Sequence, residues 1–255
     1  NSLCPIAFSS NTTRQIFLMH GKKPIEVYDY ASDLLLYDTE TGEVLTDPRF
    51  MTEDVLETFP AWAPDGKRLY YAASDVANLP DEIENMHYHL LSVAFDPESR
   101  SFADKIDTLY NAHVSGGSVS HPRVNPDGRY LLYTKSAYGT FPVWHEEADL
   151  ALMDLQTGKH VDVSGWNDPD NSDSYHSWSS NGRWTVIGSR RTDGRYTRLF
   201  IAHLDGDGNL GKPFLLPQED PRYNLWRLKS YNVPEFIDGE VKIPDEVVKL
   251  FETEK

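Results

Sequence analysis

The chain has 255 residues, 39% of them hydrophobic and 12% aromatic, enough for a sizeable core in one large domain or two small ones. Asp and Glu number 40 against 24 Lys and Arg, and the net charge of −16 argues against nucleic acid and anionic membrane as partners. Cys4 is the single cysteine, which excludes an internal disulfide and any cysteine-built zinc or haem site, and no apolar run is long enough for a transmembrane helix.

In chain order, "PIAFSSN" (5–11) reads as the second strand of an incomplete first unit. "DLLLYDTETGEVL" (33–45) follows as a strand, a polar turn and a short strand. "FPAWAPDGKRLYYAAS" (59–74) opens a second unit, and "HLLSVAFDPESRSF" (89–102) completes it. The pattern recurs in "HPRVNPDGRYLLYTKS" (121–136) with "DLALMDLQTGKHV" (149–161), and in "YHSWSSNGRWTVIGSR" (175–190) with "RLFIAHLDGDGNLG" (198–211). The central turns are Pro64-Asp65-Gly66, Pro126-Asp127-Gly128 and Ser180-Asn181-Gly182. Pro presets φ near −65°, Asp or Asn bonds its own backbone, and Gly accepts positive φ, so each turn joins two antiparallel strands. Trp62, Val124 and Trp178 occupy the same place before the turn.

A unit of four strands, roughly 55–60 residues long, cannot bury both faces alone, and radial stacking of copies solves this. The predicted fold is all-β, a β-propeller of four-stranded antiparallel blades. The expected boundaries are a partial first blade over 1–57, blades over 58–116, 117–173 and 174–218, and a tail over 219–255. The tail carries a candidate helix at 243–255. The first unit lacks its innermost strand, so the chain is expected to be part of a longer propeller. The alternative is closure of a four-bladed ring by a strand from 224–243, where Pro234 limits central pairing.

The P-D-G-[KR]-x-[LI]-x-[YF] pattern of 64–71 and 126–133, echoed at 180–187, resembles the TolB-like, or WD-like, propeller repeat. "VYDYASDLLLYD" (27–38), "WHEEADLALMDLQTG" (144–158), "SRRTDGRYTR" (189–198), "GKPFLLPQEDP" (211–221) and "LKSYNVPEF" (228–236) extend the likeness to bacterial cell-envelope propeller proteins. That resemblance implies a periplasmic or outer-membrane-associated location in a Gram-negative envelope and allows a lipoprotein anchor upstream. It supplies no reaction. The Cys/His motifs of some longer members are absent here.

With strand A starting at the top, the P-D-G turns lie at the bottom of the propeller. The long connections gather on top: 12–32, 75–88, 136–148 and 191–197, with 46–58, 111–120 and 165–174. Long loops on one face of a rigid scaffold mark a binding face. The candidate ligand- or partner-binding residues there are Trp144, His145, Tyr175, His176, Arg190 and Arg191. The arginines offer bidentate recognition of a carboxylate or phosphate. The competing expectation is that they pair with Asp170, Asp173 or Asp193 and stack on aromatics.

No catalytic set, metal or cofactor is expected. His87 and His89 alternate on one strand face without a third ligand. The loop from Asp205 has Leu210 and Leu216 where a calcium loop needs Gly and Glu. The acidic run 166–174 is a loose cation site at most. "SGGSVS" (115–120) lacks the nucleophile-elbow pattern, and only Glu146 and Glu147 stand as a local acid pair. The favoured function is a non-enzymatic scaffold binding a protein or glycan partner in the cell envelope through the top face. The alternative is a propeller lyase or hydrolase acting on a polysaccharide or peptide at the channel mouth.

Overall fold

The computed structural model describes residues 5–18 and 23–240, and within them the chain is an all-β propeller. Three sheets have four antiparallel strands. The second is β4 (Val55–Trp62), β5 (Arg68–Asp75), β6 (His89–Asp96) and β7 (Ser101–Tyr110). The third is β8 (Ser118–Val124), β9 (Tyr130–Ser136), β10 (Asp149–Asp154) and β11 (Lys159–Val161). The fourth is β12 (Asp173–Trp178), β13 (Trp184–Ser189), β14 (Arg198–His203) and β15 (Phe214–Leu215). The first sheet has three strands, β1 (Ile6–Phe17), β2 (Ile25–Tyr37) and β3 (Val44–Leu45). Among the described residues the α-helices are four-residue turns at Ala112–Ser115 and Tyr223–Trp226.

Strand alternation builds the inter-blade cores. On β9, Leu131 and Tyr133 face the second sheet and join Tyr70, Leu90, Val119 and Met153. Leu132, between them, faces the fourth sheet and joins Leu150, Leu152, Trp166, Ile187 and Phe200. Leu34, Phe50, Leu69 and Tyr71 fill the space between the first and second sheets.

Trp62, Val124 and Trp178 end the three inner strands at equivalent places. Trp62 donates its indole N–H to the Pro5 carbonyl at 2.9 Å, and Trp178 donates to the Arg123 carbonyl of the preceding sheet at 3.0 Å. The repeated turns stack on one rim. A Cβ on Gly182, at φ +68°, would lie 3.4 Å from Pro126 Cδ, and one on Gly128 would lie 4.0 Å from Pro64 Cδ.

Two expectations need correction. The connection 12–32 is not a long loop, because β1 runs to Phe17 and β2 begins at Ile25 as one long hairpin. Polar residues such as Asn11, Thr13 and Asp29 bond one another across that hairpin, so low hydrophobicity did not mean loop. Across 224–240 no strand forms, and β1 pairs only with β2 among the described residues. The candidate helix 243–255 lies outside the described residues.

Candidate binding site on the long-loop face

Each full inner strand breaks register with the next strand near its middle, at 59–60 in β4, 121–122 in β8 and 174–175 in β12. Phe59 and His121 sit at these breaks at φ +52°, a costly backbone region for bulky side chains. Tyr175 holds the third equivalent position. The rings touch in series: Phe59 and His121 have centroids 3.9 Å apart, and His121 meets Tyr175 edge-on at 4.8 Å. His176 is buried next to this stack, with ring nitrogens 3.1 Å from the Ser174 carbonyl and 3.2 Å from the Leu132 carbonyl. Burial outweighs those acceptors and lowers its pKa to about 4, so His176 is a neutral packing group at physiological pH. Tyr175, packed on His121, and His176, bonded to interior carbonyls, are thus both buried.

His145 anchors a latch between non-adjacent sheets. It follows the short 3₁₀ turn Pro142–Trp144 and is 2% exposed. One ring nitrogen lies 3.3 Å from Glu26 Oε2 on β2, and the other lies 3.1 Å from Glu147 Oε1. Tyr138 donates its hydroxyl to Glu26 at 2.7 Å, and the Lys23 ammonium lies 3.5 Å from Glu147 and over the Tyr138 ring. Burial opposes charge on His145, but the two carboxylates outweigh it and raise its pKa. The hydrogen bond from His145 holds Glu147 down at about 2. Burial pushes Glu26 upward, and the bonds from His145 and Tyr138 reverse that into a net lowering. Glu26 had no local signal, because it sits in a stretch that reads as loop.

The adjacent arginines diverge. Arg191 donates to the Trp166 carbonyl and to Asp173 Oδ1, both at 2.5 Å, and to Ser189 Oγ at 2.8 Å, with its guanidinium over the Phe200 ring. Asp173 is 0% exposed, so Arg191 is a structural brace of the kind foreseen in the competing expectation. Arg190 is 5% exposed and packs over Trp144, with its guanidinium carbon 3.2 Å from the ring centroid. Burial lowers its pKa to about 10.

A cleft of 690 Å³ is lined by Tyr110, the 115–117 link, and residues of β9, β10 and β11. Lys135 and Asp149 stand opposite each other in register on its floor. The Lys135 ammonium lies over the Tyr110 ring at 5.0 Å. Among the described residues no hydrogen bond reaches the Asp149 carboxylate, and burial together with the Asp173 charge raises its pKa. Glu147 forms part of the wall, and Glu146 lines a separate small pocket beside Arg190.

His87 lies before β6 with Nδ1 3.0 Å from the Gly117 carbonyl, whereas His89 accepts from the Ala112 N–H at 3.0 Å and packs on His113. Both rings thus engage the 112–117 segment, and among the described residues no third metal-ligating side chain joins them. The Asp205 side chain closes its own turn by accepting from Asp207 and Asn209. In the 166–174 run, Asp168 accepts from Asn171 and Asp173 is spent on Arg191.

No protein-family model and no curated protein matches the chain. Among solved structures, a puromycin-hydrolyzing peptidase of Mycobacterium tuberculosis is similar, with TM-score 0.50 and 13% identity, over 81% of this chain and 30% of the peptidase. At that identity the likeness concerns the propeller fold alone. A TolB candidate from Agrobacterium tumefaciens is 19% identical over 73% of this chain and 59% of its own, with TM-score 0.45. The Dos1 propeller is 17% identical over 82% of this chain and 48% of its own, with TM-score 0.46. The chain thus spans less than two thirds of each of these proteins.

Proposed function

We propose that this protein is a non-enzymatic propeller scaffold that binds a protein or glycan partner of the cell envelope through its long-loop face. The envelope assignment rests on the sequence resemblance. The observation that carries the binding reading is the 690 Å³ cleft, a volume suited to a few side chains or one or two sugar rings. It is lined by sheet residues and offers an aromatic ring at Tyr110, an ammonium at Lys135 and a solvent-exposed carboxylate at Asp149. Such polar groups fix the orientation of a ligand while the ring supplies contact area.

The test is binding of the purified protein to a glycan array and to envelope extract, with an Asp149→Lys, Lys135→Glu variant alongside. Reversal of both charges is expected to cut binding at least tenfold and leave the thermal midpoint within a few degrees. Binding that is indifferent to the reversal refutes the cleft as the site.

A second reading has its own support. Glu147 and Asp149 border one cleft with pKa values driven apart, Glu147 down to about 2 and Asp149 upward. Two carboxylates at one cleft with unlike pKa values are the arrangement that an acid and its partner carboxylate take in a hydrolase or lyase. Turnover of an envelope polysaccharide or peptide that is abolished by Asp149→Asn would establish that reading over the scaffold.

A further inference from the structure

Two consecutive arginines follow β13, and among the described residues one of them, Arg191, is ion-paired to a carboxylate and the other is not. Arg191 is bonded to the fully buried Asp173. Arg190 is itself more than nine-tenths buried, and among the described residues no carboxylate bonds to its guanidinium. Its Nε, shielded from solvent, has no hydrogen-bond partner. The Asp193 charge favours the cation from a distance without reaching it, and burial dominates, so the pKa of Arg190 falls to about 10. A desolvated cation without a hydrogen-bonded counter-charge is costly, because a buried guanidinium needs acceptors for its N–H groups.

The surroundings supply a space for such an acceptor. Arg190, Trp144, Val143, Asn171, Ser172, Gly194 and Glu146 line a pocket of 20 Å³, room for one small group. The guanidinium carbon lies 3.2 Å from the Trp144 ring centroid, so the ring holds the cation at the pocket while its Nε keeps an unused donor. Asn171 is held by Asp168, and the Ser172 hydroxyl is held by the Pro142 carbonyl, so the walls are preorganised. Glu146 also lines the pocket, has a contact of its own and sets an upper size limit, since a bulky polyanion would meet its charge.

We propose that the Arg190–Trp144 pocket is an anion site that takes one carboxylate group, and that this is the handle by which the long-loop face grips an acidic side chain or a uronic acid of its partner. The last clause rests on the binding face proposed above. The anion site itself does not, and it can be measured without any partner.

The experiment titrates the full chain with sodium acetate, and separately with sodium chloride, at constant ionic strength. It follows tryptophan fluorescence and the thermal midpoint. Saturable acetate binding should change the emission of Trp144 and raise the midpoint by about 3–6 °C at tenfold excess over Kd. Both responses should vanish in Arg190→Gln and persist in Arg195→Gln, an exposed arginine nearby. Val143→Phe, which blocks the pocket while retaining the arginine, covers the case in which Arg190→Gln fails to fold, and it too should abolish the response. A response to chloride equal to that of acetate would reassign the site to free halide and overturn the carboxylate handle. No saturable response to either anion, or one that survives Val143→Phe, overturns the site. If acetate binds as described but Arg190→Gln captures envelope partners as well as wild type, the site stands and its role as the handle falls.

Discussion

Replacing Glu26 by Gln tests whether the latch between the first and third sheets works through charge. In the wild type the Glu26 carboxylate accepts from Tyr138 at 2.7 Å and faces His145 at 3.3 Å, both within a buried network. Gln keeps an acceptor for Tyr138 and removes the charge opposite His145. One lost hydrogen bond between charged groups is worth about 1.5–3 kcal/mol. The larger cost of stranding a buried charge, about 3–5 kcal/mol, is an upper bound because His145 can release its proton. The expected loss at pH 6 is therefore about 2 kcal/mol, or about 4–8 °C in Tm.

The pH dependence sharpens the test. The folded pKa of His145 is raised above 6.5, so its contribution is complete below that value and is lost as pH rises through the folded one. Glu26 and Glu147 are lowered from 4.5, so theirs is present above 4.5 and is lost as pH falls, toward about 2 for Glu147. The latch is complete between 4.5 and 6.5. Other groups titrate nearby. Burial raises Glu57 to about 8, so its uptake of a proton on folding also makes stability fall with rising pH from 4.5 to 8. His176, lowered to about 4, does the opposite between 6.5 and 4. Both effects cancel in the difference between wild type and Glu26→Gln. Urea unfolding of the two proteins at pH 6 and pH 9 should show a gap of about 2 kcal/mol that shrinks below about 1 kcal/mol at the higher pH. An equal gap at both pH values would mean that shape and not charge holds the latch, and no gap at pH 6 would refute its contribution.

Arg191→Ala strands the buried Asp173 carboxylate and should destabilise by about 3–5 kcal/mol in urea titration; a neutral result would show that the brace is idle. Gly117→Ala places a Cβ 2.7 Å from the Ser136 carbonyl oxygen at φ +74°, and a loss above about 1 kcal/mol is expected by thermal unfolding. Arg198→Met removes a buried guanidinium that donates to the carbonyls of Asn224, Arg227 and Lys229. Amide exchange across 223–231 should then accelerate at least tenfold while β9 and β13 stay protected, and an unchanged rate would mean that other contacts, such as Tyr231 N–H to the Thr197 carbonyl, hold the segment.

The strand pairs and their stacking into blades were legible in the sequence because their signals are local. A Pro-Asp-Gly or Ser-Asn-Gly turn and the alternating apolar residues around it sit within about ten positions, and three echoes identify a repeat. The aromatic and cationic content of the top loops was equally visible. Which of those residues bond inward was not. Arg190 and Arg191 are neighbours with the same chemistry, and only folding brings Asp173 to one of them and Trp144 to the other. Glu26 meets His145 across 119 positions, joining a hairpin of the first sheet to a loop of the third, and this contact gives the histidine its raised pKa. The register breaks that turn Phe59, His121 and Tyr175 toward one another recur by backbone position, while the three side chains differ. Local turn and alternation rules are properties of a short segment. Burial and partner choice are properties of the packed blades, so only the tertiary structure could decide which charges are spent in holding the fold and which stay available to a ligand.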